Sequence, residues 1–285
     1  MIQFHYRLTI TLALTLLTIG GISSQDLHHR NQDLPCIHKN YNVAFHIAVD
    51  STNREPLYSR NEIDSITVIL SNFFSPICVS FSVCEYNVLE DDYSLGRVRD
   101  QPLTKEQQFE ELKVRFSRRR RINVFMLEYI DLEDCGTSTF EGILTEKDAI
   151  IYTERSCIDD ISGQIAHHLG HTFGLSDTYD AFSIELVDGS NCATTADRLC
   201  DTPADPYLQT FISPEDRLLL DQKLISDTYF NAACEFLSEI RDPNGEFYQP
   251  DMGNIMSAYP CKCGFTNSQY ELMAETILRS NINHF

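Results

Sequence analysis

The strongest constraint on this chain is a pair of histidines four residues apart within a short amphipathic segment. His167 and His171 belong to the run 164–177, QIAHHLGHTFGLSD. Residues four apart lie on one face of an α-helix, where two imidazoles can hold one metal ion. The apolar stripe expected of such a helix consists of Ile161, Ile165, Leu169 and Thr172. We therefore expect a helix that begins after an Asp159 or Asp160 N-cap and presents both histidines to a metal.

The residue that follows the first histidine departs from a well-known motif. In the H-E-x-x-H motif of zinc peptidases, a glutamate at this position polarises the metal-bound water. Here the position holds His168. The metal-binding pair is therefore present without the acid that accompanies it. His168 is the candidate catalytic residue by position, and its imidazole could accept a proton or bind the metal itself.

The next residues supply a candidate third ligand. Gly174 lies three residues after His171 and permits a sharp chain reversal, and Asp177 follows after a further three. Catalytic zinc accepts two histidines and one carboxylate. The sequence thus predicts a zinc ion bound by His167, His171 and Asp177. The alternative is a core helix whose histidines are simply buried and hydrogen-bonded.

Three downstream segments complete a recognisable order. They are NCAT at 191–194, LCDTPADP at 199–206 and GNIMSAYPC at 253–261. With the helix, they resemble the pappalysin and cytophagalysin family of metzincin zinc metallopeptidases over residues 41–280. The resemblance implies a mixed α/β (α+β) fold, in which a twisted sheet and two helices lie above a cleft. It also implies a C-terminal helix below the cleft and a Met-turn, Asn254–Met256, whose methionine lies beneath the zinc.

Three positions depart from the family pattern. His168 replaces the glutamate, Asp177 replaces a third histidine, and Ala258 stands where family members often carry a tyrosine. Tyr259 follows one position later and is a weak catalytic candidate. General acid–base assistance is worth about 10²–10⁴ in rate, and a donor to the transition state about 10²–10³. We therefore interpret the chain as a catalytically impaired homologue.

This interpretation leaves three functional hypotheses. The first is a pseudoprotease that binds zinc and holds a peptide or protein in its cleft. The second is an active zinc metalloendopeptidase in which His168, or a carboxylate such as Glu154, serves as general base. The third is a metal-free structural domain that disulfides stabilise.

The N-terminus predicts export. Residues 1–24 have the features of a signal peptide, with Arg7 followed by an apolar run over 8–19 and then small residues. That run is too short for an ordinary membrane span, and no other apolar stretch approaches twenty residues. We expect a secreted chain with a short N-terminal segment, 25–40, and a single pappalysin-like domain, 41–285.

The cysteines fit the same compartment. There are ten of them, an even number, which in an exported chain predicts up to five disulfides. Cys36 has an alternative role, since a free thiolate before the domain could plug the zinc site.

The formal net charge of −20 disfavours nucleic acid and anionic membranes as partners. It also raises the question of calcium, which relatives in the resembled family use near the cleft. Asp201 and Asp205 are the candidate ligands, because hard cations prefer clustered oxygens. The alternative is a proline-fixed turn that the two aspartates cap.

The remaining patterns predict the framework. Strands are expected over 42–49, 79–86 and 122–130, and an edge strand over 149–153 that lines the cleft and pairs with a peptide. Helices are expected over 59–72, 104–116 and after 266. Each begins with a capping pattern: Ser59 with Glu62, Thr104 with Gln107 and Thr266 with Gln269.

Overall fold

The computed structural model describes residues 34–89, 105–128, 136–138, 149–154, 160–180, 182–206, 230–231 and 233–280. The predicted signal peptide and most of segment 25–40 lie outside these residues, as do Thr104, Cys135, Cys157 and Asp159. Within the described ranges, no helix is long and apolar enough to cross a membrane.

A five-stranded mixed sheet forms the framework. Its strands are β1 Lys39–Ile47, β2 Val79–Val88, β3 Ile122–Leu127, β4 Gly136–Ser138 and β5 Ala149–Glu154. The order is β2-β1-β3-β5-β4, with every pair parallel except β4 with β5. All six residues of β3 are buried, as expected for a parallel strand covered on both faces. The predicted mixed α/β architecture is therefore confirmed.

One strand prediction was wrong. Segment 149–153 was expected at the sheet edge, but it belongs to β5, which has neighbours on both sides. Gly136 pairs with Thr153 and Ser138 with Ile151, so β4 covers the flank that would otherwise be open. Burial agrees, since Ala149 through Thr153 are at most 1% exposed. A three-residue strand of small polar residues has no periodicity from which it could have been predicted.

Four helices accompany the sheet in the described residues. They are α1 Arg60–Phe74, α2 Lys105–Phe116, α3 Ile161–Thr172 and α4 Asn267–Arg279. The capping boxes predicted at Ser59 with Glu62 and at Thr266 with Gln269 are formed, whereas the cap predicted at Thr104 lies outside the described residues. Helix α1 packs on β2 and on α3. Aromatic rings join α1 to the segments after α3 and before α4: Phe74 lies 5.5 Å from Phe173 and 5.2 Å from Phe265 between ring centroids.

Disulfides close three loops in the described part of the chain. The pairs are Cys36–Cys78, Cys192–Cys200 and Cys234–Cys261. The upper limit of five disulfides is not reached, because Cys84 and Cys263 are free thiols. Bonding of Cys36 to Cys78 also removes the thiolate-plug alternative. The disulfide ties the N-terminal segment to the start of β2.

Candidate metal centre

Helix α3 carries the histidine pair, and its two ends are fixed by local bonds. At the N-terminus the Asp160 carboxylate caps the helix by accepting a hydrogen bond from Gly163 N at 3.0 Å. At the C-terminus Leu175 N donates to Gly170 O at 2.9 Å, which reverses the chain. Gly174 lies within this reversal with φ of +96°, a conformation that favours glycine. The chain beyond α3 therefore returns toward the histidines, as the sequence predicts.

This reversal brings three ligand atoms together. His167 Nε2 lies 3.1 Å from His171 Nε2, and Asp177 Oδ1 lies 3.4 Å from the first and 3.5 Å from the second. Ligand atoms roughly 2.0–2.1 Å from a tetrahedral zinc lie roughly 3.3–3.4 Å apart. These three atoms, the ligand triangle below, therefore match one face of a zinc coordination shell.

Backbone carbonyls set the orientation of both imidazoles. His167 Nδ1 lies 2.9 Å from Ile255 O, and His171 Nδ1 lies 2.9 Å from Leu175 O. Because a carbonyl oxygen only accepts, each Nδ1 must carry the proton, which leaves each Nε2 lone pair toward the triangle. Burial also holds the pKa of His167 well below its usual range. A neutral imidazole is the form that a metal requires.

His168 lies beside the triangle rather than at one of its corners. Its ring centroid is 5.3 Å from that of His167 and 6.2 Å from that of His171. The side chain is 4% exposed, and its Nε2 lies 3.1 Å from the Gln164 amide nitrogen. Burial lowers the pKa of His168 to about 3, with smaller contributions from His171 and Lys262.

His168 is also an alternative third ligand. The donor atoms of the three histidines all lie within 4.8 Å of one another. Asp177 is the better third corner, because its oxygen is within 3.5 Å of both partner nitrogens. The Gln164 amide, a hydrogen-bond donor, instead faces the Nε2 of His168.

The segment predicted as the Met-turn packs against α3. Met256 is fully buried, and a Cβ atom at Gly170 would lie 2.4 Å from its sulfur. Gly170 lies between the two candidate ligand histidines in the chain, so Met256 packs against the turn of α3 that carries them. The turn is itself fixed, since Met256 N donates to Asn254 Oδ1 at 2.8 Å and Thr178 N to Met256 O at 3.2 Å.

Tyr259 and Asp205 form a buried link beneath the site. The Tyr259 hydroxyl donates to one Asp205 oxygen at 2.8 Å, and Thr178 Oγ1 donates to the other at 2.6 Å. Tyr259 is only 2% exposed, and burial raises the pKa of Asp205 to about 7. These contacts make Tyr259 part of the support under the Met-turn.

The structure gives calcium no support at Asp201 and Asp205. The Asp201 carboxylate accepts from Thr266 Oγ1 at 3.1 Å and from Ser268 N at 2.9 Å, at the start of α4. Among the residues described, neither aspartate belongs to a cluster of three or more metal-binding side chains. The calcium site stays a prediction. Glu154 is the last residue of β5, and its side chain lies outside the described part of the structure.

Sequence reasoning missed two charged groups, of which the first is the partly buried Lys262 beside the Met-turn. The Lys262 ammonium donates to Ile255 O at 2.9 Å and to Ser257 O. Burial lowers its pKa to about 8, while Asp177, Asp205 and Asp160 act in the opposite direction. A lysine between two cysteines gives no sequence signal for burial.

Glu185 is the second missed group. It is 5% exposed, and burial raises its pKa to about 7, with further increases from Asp197 and Asp205. It lines a cavity of about 280 Å³ together with Asp188 and Asp201. Nothing in its sequence neighbourhood indicates a buried carboxylate.

Comparison with known proteins supports the architecture. No protein-family model matches the chain, and no curated protein matches it. Mirolysin in complex with compound 9 superposes with a TM-score of 0.52 at 14% identity, over 88% of this chain and 96% of that chain. Archaemetzincin from Methanopyrus kandleri reaches a TM-score of 0.29 at 16% identity, over 48% of this chain and 76% of its own. Metalloproteinase-II from Bacteroides fragilis reaches 0.32 at 10% identity, over 51% and 45%. The last two values are too low to carry an argument. At 14% identity the first shows the fold alone: this chain shares the fold of mirolysin, and helix α3 carries a cluster of three histidines.

Proposed function

We propose that this chain is a secreted, pappalysin-like zinc protein that holds a peptide or protein segment in a protease-shaped cleft and hydrolyses it poorly or not at all. The observation that carries the proposal is the ligand triangle of His167, His171 and Asp177, with edges of 3.1–3.5 Å. Bound zinc would supply Lewis-acid polarisation of a carbonyl or a water. The chain's own groups orient the two imidazoles through Ile255 O and Leu175 O.

The impairment follows from the surroundings of His168. A general base must lie within hydrogen-bond reach of the proton that it removes. His168 is 4% exposed, and its Nε2 contacts the Gln164 amide of its own helix. Its imidazole is also shorter and bulkier than a glutamate arm. We therefore assign His168 to the wall of the site and expect a loss on the order of 10²–10⁴ in rate relative to an acid at this position.

Secretion is proposed on two grounds. The first 24 residues have the pattern of a signal peptide. Three disulfides occur in the described residues, and such bonds persist in oxidising compartments. Charge argues against nucleic acid as a partner, so the proposed ligand is a peptide or protein.

Two rivals keep the fold. An active endopeptidase would require His168, or Glu154, to act as base. A metal-free structural domain would not explain the ligand triangle. Its three polar atoms lie at zinc-like spacing, and both imidazoles are already oriented toward its centre. The geometry therefore favours a zinc site over a metal-free domain.

Metal analysis with a turnover assay separates the three. The mature chain, purified and supplied with zinc, should hold about one zinc per chain. His167→Ala and His171→Ala should each abolish binding. His38→Ala is the matched control, because His38 is exposed beside the Cys36–Cys78 disulfide. Absence of zinc from the wild type would leave the metal-free structural domain as the remaining hypothesis. Turnover of protein substrates on the order of 1–10³ s⁻¹ would establish the active rival.

A further inference from the structure

We infer that Lys262 is a positioning residue of the metal centre, whose ammonium fixes the Met-turn carbonyl that orients His167. Ile255 O accepts two hydrogen bonds, from His167 Nδ1 at 2.9 Å and from Lys262 Nζ at 2.9 Å. The same ammonium donates to Ser257 O, two residues further along the turn. Lys262 therefore clamps both sides of Met256 and contacts the carbonyl that holds a ligand histidine. The inference rests on the proposed zinc site.

The stem of Lys262 is fixed as firmly as its ammonium. A Cβ atom at Gly163 would lie 2.6 Å from Lys262 Cγ and 2.7 Å from its Cβ. Only glycine leaves room for the lysine against the first turn of α3. The side chain thus bridges the start of the helix that carries the histidines and the turn that lies beneath them. A change at Lys262 alters the spacing of both elements.

Partial burial of the Lys262 ammonium requires compensation, and neighbouring groups supply it. Three carboxylates favour the charged ammonium, those of Asp177, Asp205 and Asp160. Two carbonyl oxygens accept its hydrogen bonds. A buried amine without such partners would be costly. The lysine therefore belongs to a connected polar arrangement that includes Asp177, a corner of the ligand triangle.

The hydrogen bonds of Lys262 and its positive charge should have opposite effects on zinc affinity. If the donated hydrogen bonds matter most, removing them frees Ile255 O to shift and disorients the His167 lone pair. Loss of such an outer partner typically costs about 10–100-fold in metal affinity. If charge matters most, removing a cation from the neighbourhood of a dication improves binding. We expect the hydrogen bonds to outweigh the charge in their effect on zinc affinity, because Ile255 O accepts from both Lys262 and His167.

Two substitutions in the full mature chain separate these effects. Lys262→Met keeps the aliphatic stem and removes both donor and charge, whereas Lys262→Gln keeps a donor on a side chain one bond shorter. Lys113→Met, at the partly exposed lysine of α2 that faces Glu110, is the control. The probes are zinc alone, titrated against a competing chelator, and Co²⁺ alone, whose visible bands report ligand geometry. Thermal unfolding of the metal-free proteins reports whether each variant folds.

We expect Lys262→Met to raise the zinc Kd by about 10–100-fold and to shift the Co²⁺ bands. Lys262→Gln should stay closer to the wild type in both readouts, and Lys113→Met should match it. Wild-type zinc affinity in Lys262→Met, tighter binding, or equal losses in both Lys262 variants would overturn the inference. If Lys262→Met does not fold, Lys262→Gln decides: retained affinity and bands support a positioning role, and a tenfold loss in the folded protein opposes it. A wild type that binds no zinc refutes the proposed function itself.

Discussion

The two sides of helix α3 are stabilised by different forces. On the sheet side, α3 packs against β5 and β4, and residues of β5 such as Ile150 and Ile151 are fully buried. On the other side lies a buried polar support, consisting of Asn254, Gln269, Asp205, Tyr259 and Lys262. Hydrophobic burial is non-directional, so the sheet side tolerates changes that keep its volume. The polar support depends on donor and acceptor geometry, so we expect it to tolerate very little.

The same contrast separates the fold from the chemistry. The sheet fixes where α3 lies, whereas the polar support fixes the orientation of His167 and the position of the chain at Asp177. Thr178, next to Asp177 in the chain, bonds Asp205 through its side chain and Met256 through its backbone. The candidate metal site is therefore supported by the side of the molecule that is most sensitive to substitution.

The largest expected effect is catalytic and concerns His168. His168→Glu should raise peptide hydrolysis by about 10²-fold or more, because it restores a base while the ligand triangle and cleft are retained. Adding Ala258→Tyr should raise it further, since the transition state would regain a donor. Both rates are measured as kcat/KM on a generic protein substrate with zinc supplied. A zinc-bound His168→Glu variant that stays inert would place the defect at Asp177 or in the cleft.

The next largest effect compares one residue from each side of α3. Asn254 is fully buried, donates to Gln269 Oε1 at 3.0 Å and accepts from Met256 N. Asn254→Ala should lower the free energy of unfolding by about 1–3 kcal/mol, because it leaves the buried Met256 N–H without its acceptor. It also removes one of the two donors to Gln269 Oε1, which keeps its hydrogen bond from Thr266 N. Ile151→Val, the sheet-side counterpart, should cost about 0.5–1.5 kcal/mol. Denaturant unfolding measures both, and equal costs would remove the proposed difference between the two sides.

Sequence patterns predicted the parts of the molecule that depend on local chemistry. Capping boxes located α1 and α4, and the i,i+4 histidines with Gly174 located the ligand triangle. The missed features depend on contacts that a hydrophobic pattern does not encode. Lys262 is partly buried because its ammonium donates to the carbonyls of Ile255 and Ser257, and β4 is a strand because it pairs with β5. Neither fact follows from periodicity, which reports the burial of apolar residues only.

A third prediction concerns pH and Glu185. Burial raises the folded-state pKa of Glu185 to about 7, above the usual value of 4.5 for a glutamate. Between these two values the folded protein keeps a proton that the unfolded chain releases, so the unfolding free energy should fall as pH rises through this window. Glu185→Gln removes this contribution, which is on the order of 1–3 kcal/mol. The variant should therefore gain stability over the wild type at pH 8 but not at pH 4.5.

Denaturant unfolding in the presence of a chelator measures this difference without interference from bound cations. Glu246→Gln, on an exposed side chain of a nearby loop, is the matched control and should leave the pH dependence as it is. Parallel pH curves for the wild type and Glu185→Gln would show that Glu185 is not the group responsible. In that case the sensitivity to substitution would be confined to the polar support around the Met-turn.

The smallest expected effect isolates one contact where the two sides meet. Gly174 and Gly189 both have positive φ, +96° and +70°, so alanine at either site introduces similar backbone strain of about 1–2 kcal/mol. A Cβ atom at Gly189 would meet nothing within 4 Å, whereas at Gly174 it would lie 2.8 Å from Thr276 Oγ1 on α4. Gly174→Ala should therefore destabilise the protein by about 1 kcal/mol more than Gly189→Ala, as judged by denaturant unfolding. Gly174→Ala should also weaken zinc binding, because the chain reversal at Gly174 brings Asp177 to the ligand triangle. Gly189→Ala should leave zinc binding intact.

Equal effects of the two variants on zinc affinity would show that Thr178 and the polar support alone position Asp177.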